Sequence, residues 1–232
     1  MEISNPKSII IEFNGLPGSG KTTVAKILKK KLEEKYGVEV RSHYERKTWH
    51  RNVYSILLCP RYYKLLISIN NYSKLFFKKK AFVRRLKIAN FVREYRNFLS
   101  DNNRSVLLID QGIIQAVISL AHQDKLPSPD SLGDVICKIG IATLPIVIVN
   151  CNLSPEISAE RVKTRPSNGC RVEKMDEQDL LDSLKTQCDN LESIRSLLYG
   201  FSPRMVVEID TALNPKDNAN KIMDLIHKSL LN

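Results

Sequence analysis

Eight residues restrict the fold of this chain more than any others. Gly15-Leu16-Pro17-Gly18-Ser19-Gly20-Lys21-Thr22 follows the short β-branched run Ser8–Asn14 (SIIIEFN). It leads into a segment where Val24, Ile27, Leu28 and Leu32 share one helical face before Gly37 supplies a stop. The spacing predicts a helix over 21–36, and residues 38–42 read as a second strand. A strand that enters a glycine-rich turn, leaves it as a helix and returns as a strand opens an α/β fold with a parallel sheet.

The rest of the chain repeats that alternation. Ser105–Asp110 is a buried-strand run ending in a carboxylate, with a helix expected over 112–122 and a loop at Pro127–Pro129. Pro145–Asn150 (PIVIVN) reads as a fourth strand, and Ser154-Pro155-Glu156 opens a helix to about Thr164 with Ser154 as its cap. A loop at 166–169, a long amphipathic helix over 176–199, a fifth strand over 205–210 and a last helix over 215–231 complete the chain. Five apolar strands separated by helices describe one doubly wound α/β domain over residues 1–232, with an insert after the second strand. A chain of 232 residues buries a sufficient core without disulfides or metals.

The cysteines agree with that. Cys59, Cys137, Cys151, Cys170 and Cys188 are odd in number, widely spaced and never paired as Cys-x-x-Cys, and the four histidines are scattered. Neither a disulfide framework nor a nitrogen- or sulfur-ligated metal is expected, and a reducing cytoplasm is. The sequence holds no apolar run of about 18 residues and no secretory signal pattern near Met1.

Charge singles out the insert. Residues 41–104 carry sixteen Lys and Arg against Glu45, Glu94 and Asp101, more than accounting for the net charge of +11 on the whole chain. The same stretch holds twelve of the sixteen aromatic residues, among them Trp49, Tyr62, Tyr63, Phe76 and Phe77. Such a segment faces something anionic, such as nucleic acid or a membrane surface, or is a solvated helical insert. Phe76–Lys87 mixes apolar and basic residues as an interfacial helix does.

The turn at 15–22 fits the Walker A pattern G-x-x-x-x-G-K-[S/T] at each required position, and in the required context. Its chemistry follows from its residue types. Gly15, Gly18 and Gly20, with Pro17 and Ser19 between them, let the backbone wrap closely enough for its N–H groups to meet phosphate oxygens. The helix that begins at Lys21, with Thr22 and Thr23 in its first turn, adds the positive end of its dipole. Lys21 would reach the β- and γ-phosphates of ATP, and Thr22 would ligate Mg²⁺. Asp110, at the carboxyl end of a parallel strand, is placed to order the same Mg²⁺ or to accept a proton from an acceptor hydroxyl; its alternative is a helix cap. Arg161 and Arg165 lie four apart, on one helical face, where cations offset charge on a moving phosphoryl group; alone they would read as a solvated face.

Taken together these elements resemble the thymidylate kinase-like branch of the P-loop nucleoside-monophosphate kinases. The likeness runs through the Walker A loop, the Asp110 strand, the stretch from PIVIVN through SPEISAERVKTRPSNGCRVE, and VVEID with its final helix. It implies a P-loop NTPase fold with a five-stranded parallel sheet, and an arginine-bearing lid over 161–173. In that family the lid arginines contact the ATP phosphates and adenine, which carries to Arg161, Arg165 and Arg171. The insert over 41–104 becomes the acceptor side. The implied activity is transfer of the ATP γ-phosphoryl group to a nucleoside monophosphate or related small acceptor, in a homodimer. Other readings are a kinase for a non-nucleotide hydroxyl, or a P-loop protein that binds nucleic acid or anionic membrane. Three positions depart from the family: Gln111 stands where Arg usually follows the Asp, and Asn14 where Glu often precedes the first glycine. Tyr44-Glu45-Arg46 stands in for an Arg-Glu-Pro-Gly run. A nucleotide acceptor would then need a replacement cation such as Arg46, Arg84 or Arg93.

Overall fold

The computed structural model describes residues 8–42, 65, 79–101, 105–124, 137, 139–140, 144–165, 175–201 and 206–230. Five strands form one sheet in the order β2-β3-β1-β4-β5. They are β1 (Ser8–Gly15), β2 (Glu39–Ser42), β3 (Ser105–Ile109), β4 (Ile146–Asn152) and β5 (Val206–Asp210). Every neighbouring pair is parallel. Six helices flank the sheet among the described residues: α1 (Lys21–Tyr36), α2 (Lys79–Ser100), α3 (Ile113–Asp124), α4 (Pro155–Thr164), α5 (Glu177–Phe201) and α6 (Pro215–Leu230).

The centre of the sheet is covered on both sides, which is why its strands are continuously apolar rather than alternating. All eight residues of β1 are buried. Ile9, Ile11 and Phe13 meet Val24, Ala25 and Leu28 of α1 and Ile222 and Met223 of α6. Ile10 faces the other way, into Ile88, Phe91 and Tyr95 of α2, Ile114 and Val117 of α3, and Leu184 and Ile194 of α5. Strand alternation puts Glu12 and Asn14 on that second face, beside Ile10.

Because β3 and β4 flank β1 while β2 lies beyond β3, the chain changes direction around the carboxyl end of β1. In open parallel sheets that crevice is where ligands bind. The glycine-rich turn opens there.

The expected elements occur with small shifts at their ends. β3 stops at Ile109, so Asp110 is the first residue beyond the strand; β4 continues two residues past Asn150, and α3 begins at Ile113. Ser154 caps α4 as expected, its hydroxyl accepting from Ile157 N at 3.3 Å, with Pro155 in the first turn.

Of the basic stretch over 41–104, residues 41–42, 65 and 79–101 are described. Phe91, Tyr95 and Phe98 are buried in the core. Arg46, Trp49, Tyr62, Tyr63, Phe76 and Phe77 lie outside the described residues, as do Arg171 and 166–173 of the expected lid. Among the described residues no helix is long and apolar enough to cross a membrane.

Candidate functional site at the carboxyl edge of the sheet

The turn from β1 to α1 needs glycine at two positions for reasons visible in space. Gly15 has φ +147°, and a Cβ there would lie 2.6 Å from the Cys151 carbonyl oxygen of β4. Gly18 has φ +76° and presses against α4, where a Cβ would stand 3.2 Å from Ser158 O and 3.3 Å from Arg161 Cβ. The Ser158 hydroxyl, itself fully buried, donates to Pro17 O and fixes the turn to α4. The first turn of α1 receives no side-chain cap and holds no acidic residue, so the helix itself brings no negative charge to its dipole end.

Lys21 folds back into the turn. Its Nζ donates to Leu16 O at 2.7 Å, Gly15 O at 2.9 Å and Ser19 Oγ at 3.1 Å, which uses all three ammonium protons without a carboxylate partner. Burial pushes its pKa down to about 8, aided by the neighbouring Arg165 cation and opposed by Cys151 and the Asp110 carboxylate. Cys151 shares this environment, and burial pushes its thiol up to about 12.

The Thr22 hydroxyl donates to Asp110 Oδ2 at 2.8 Å. This joins the first turn of α1 to the end of β3 and presents two hard oxygen ligands side by side. Such a pair suits Mg²⁺, which is usually held by one or two carboxylates, waters and substrate phosphates rather than by an all-protein cage.

The arginines predicted from their spacing stand next to the turn. Arg161 Nη1 donates to Thr211 O at 3.1 Å, tying α4 to the segment after β5, and Arg165 is the first residue beyond α4. Between Arg161, the start of α1 and the segment after β5 lies a cleft of about 570 Å³, lined by Gly18, Gly20, Thr23, Arg161, Leu213 and Asn218. Leu213 is 61% exposed at its edge, an apolar face offered to solvent beside a cation. The cleft is of a size that takes a small organic ring system.

On the opposite side of β1 is a constellation that sequence reading missed. Glu12, wholly buried in an otherwise apolar strand, accepts from Tyr95 Oη at 2.6 Å and from Ile114 N at 2.6 Å. Burial pushes its pKa up to about 7 against those hydrogen bonds. Gly112 closes the cluster, since a Cβ there would fall onto Tyr95 Oη and the Glu12 carboxyl carbon. Lys87 of α2 is half-buried, its ammonium 5.8 Å from the centre of the Phe91 ring. Burial lowers its pKa, opposed by the Asp110 carboxylate. It is this lysine that the structure brings into the field of Asp110. Arg93 donates to Asn90 Oδ1 at 3.1 Å, Arg84 lies in α2, and Arg46 is outside the described residues.

No protein-family model matches this chain, and no curated protein matches it.

Proposed function

We propose that the chain is an ATP-dependent phosphotransferase with a P-loop fold, similar to thymidylate kinase. It would move the γ-phosphoryl group of ATP to a nucleoside monophosphate or a related small hydroxyl-bearing acceptor. The observation that carries this reading is the Lys21 ammonium held inside the turn, with the Thr22–Asp110 pair in the next residue of the same helix.

Backbone amides of Gly18, Gly20 and Lys21, with the uncapped start of α1, would bind the phosphates. Lys21 would exchange one of its carbonyl partners for a phosphate oxygen without having to be ordered first. Thr22 and Asp110 would hold Mg²⁺, which when bound offsets charge on the phosphate oxygens. Arg161 and Arg165 would balance charge developing on the transferred group. The acceptor oxygen forms its bond to γ-phosphorus as the bond from γ-phosphorus to the bridging oxygen breaks. ADP leaves, and where the acceptor is a hydroxyl its proton passes to solvent or to Asp110. The cleft lined by Arg161 and Leu213 would take the base of ATP.

The reading is tested by ADP release from MgATP against a panel of nucleoside monophosphates, nucleosides and simple sugars, with ATP affinity measured separately. Binding that Lys21→Ala weakens, together with acceptor-stimulated turnover, is the expected outcome. Failure of the full chain to bind ATP would sink it.

A further inference from the structure

Asp110 sits in a turn whose two ends are held by one residue of another strand. Glu12 of β1 is the register partner of Ile109, the last residue of β3 and the one before Asp110. Its side chain is fully buried and reaches past the turn to α3, where it accepts from Ile114 N at 2.6 Å. The other carboxyl oxygen accepts from Tyr95 Oη of α2 at 2.6 Å. One carboxyl group therefore joins β1, just before the glycine turn begins, to α2 and to the start of α3.

The start of α3 has no cap of its own. Gly112 O accepts the first helical bond, from Ala116 N at 3.0 Å, so Gly112 holds the N-cap position with no side chain to offer. The first turn of α3 contains no acidic residue either. An N-cap side chain ordinarily accepts from the second or third helical N–H, and Glu12 does this for Ile114 from a different strand. Serine or aspartate at 112 could not take over, since a Cβ there would fall onto Tyr95 Oη and the Glu12 carboxyl group. Burying a carboxyl in an apolar strand is costly even when it is hydrogen-bonded, and for stability alone an apolar residue would serve as well. What an apolar residue could not do is fix where α3 begins relative to β1.

We infer that Glu12 and Tyr95 are positioning residues for the proposed phosphoryl transfer, holding the Asp110 turn in place so that its carboxylate meets the Thr22 hydroxyl. The inference rests on the phosphotransferase reading and adds to it two residues that, being fully buried, touch neither ATP nor acceptor. The Thr22–Asp110 bond ties the end of β3 to α1, the helix that leaves the glycine turn. Glu12 ties the strand that enters the same turn to residues on both sides of Asp110. The pair is thus set from before the turn and from after it. Reacting groups displaced by about 1 Å can cost about a hundredfold in rate, so a small shift of this brace is enough to matter. Tyr95 brings in α2, so the segment assigned to the acceptor side bears on the same carboxyl group.

The test measures ADP release from MgATP by the full chain, with the best member of the acceptor panel and with water as acceptor, and ATP affinity at equilibrium. Tyr95→Phe removes one hydroxyl and keeps the ring in the core. It should lower kcat about tenfold, with acceptor KM and ATP affinity within about twofold of the parent. Glu12→Ala should lower kcat at least as much, and Glu12→Gln, whose amide oxygen can still accept from Ile114 N, should bring it back to within about threefold of the parent. Tyr95→Phe serves if Glu12→Ala does not fold. In an Asp110→Asn background the Tyr95→Phe step should shrink to within about twofold, because the group it acts through is gone. A kcat unchanged by Tyr95→Phe, an undiminished step in the Asp110→Asn background, or a loss carried by KM and ATP affinity instead of kcat overturns the inference while turnover keeps the parent reading. A full chain that fails to bind ATP or to release ADP brings down both.

Discussion

Thr22 Oγ1 donates to Asp110 Oδ2 at 2.8 Å, joining residues from the first and third strand–helix units at the point where the sheet opens. Removing either partner should separate binding from turnover. Asp110→Ala is expected to lower turnover by at least about a hundredfold while changing ATP affinity much less. Thr22→Ala should raise the Mg²⁺ concentration needed for half-maximal rate. Steady-state kinetics over a Mg²⁺ titration reads both, and an Asp110→Ala enzyme with unchanged rate would remove Asp110 from the site.

Lys21 places a charge where burial opposes it. Lys21→Met should abolish turnover, by about a thousandfold or more, yet leave the folded state no less stable at pH 7. The sign follows from its pKa of about 8, below the ordinary lysine value of 10.5. Between these values the unfolded chain holds the proton more tightly, so wild-type stability rises with pH across that window. The variant should lack this rise. Urea unfolding at pH 7 and 9.5 measures the difference.

Glu12 predicts a slope of the opposite sign. Its pKa is raised by burial from 4.5 to about 7, so the folded state holds a proton that the unfolded state has released. Its contribution to stability is therefore full below about pH 4.5 and is lost as the pH rises to about 7, by about 3 kcal/mol at most. Glu12→Gln should flatten that part of the profile. Parallel profiles for parent and variant between pH 5 and 8 would show that Glu12 does not titrate there.

Gly112 is required by volume rather than by backbone conformation. Gly112→Ala should destabilise by about 2 kcal/mol or more, because its methyl group must displace the Tyr95 hydroxyl or the Glu12 carboxylate. In the Glu12→Ala background, which removes the carboxyl group and leaves the Tyr95 hydroxyl room to move, the added cost should shrink. A double-mutant cycle in thermal unfolding tests the coupling.

Much of the architecture was legible because it is written locally. The turn at 15–22, the α1 periodicity, the Ser154 cap and the five apolar runs each declare themselves within a dozen residues, and the all-parallel sheet follows from their alternation. Strand order was not legible, since pairing Ser8 with Ser105 depends on contacts a hundred residues apart. The glycine turn, Lys21 and Thr22 were marked by the motif, and Asp110 by the end of its strand. Glu12 was passed over as part of a strand, although a lone carboxylate inside SIIIEFN is itself a signal: a buried charge must find partners. What the sequence concealed was which partners, because Tyr95 and Ile114 arrive from an insert and from a later helix. Lys87 was lost among the many cations of its segment. Charge counting marks a region and does not say which ammonium the fold turns inward.

The hydrogen bonds from Ser158 to Pro17 and from Arg161 to Thr211 have a thermodynamic corollary. Together they brace the glycine turn, α4 and the segment after β5 against one another before anything is bound. Folding has thus already taken from these groups the freedom that an association would otherwise have to remove. A ligand settling among them forfeits mainly its own motion, so its affinity should depend little on tightening the surrounding backbone. Amide exchange at Ser158 and Thr211, whose N–H groups donate to Ser154 O and Asn152 O, should then be slow in the free protein and change little when the cleft is filled.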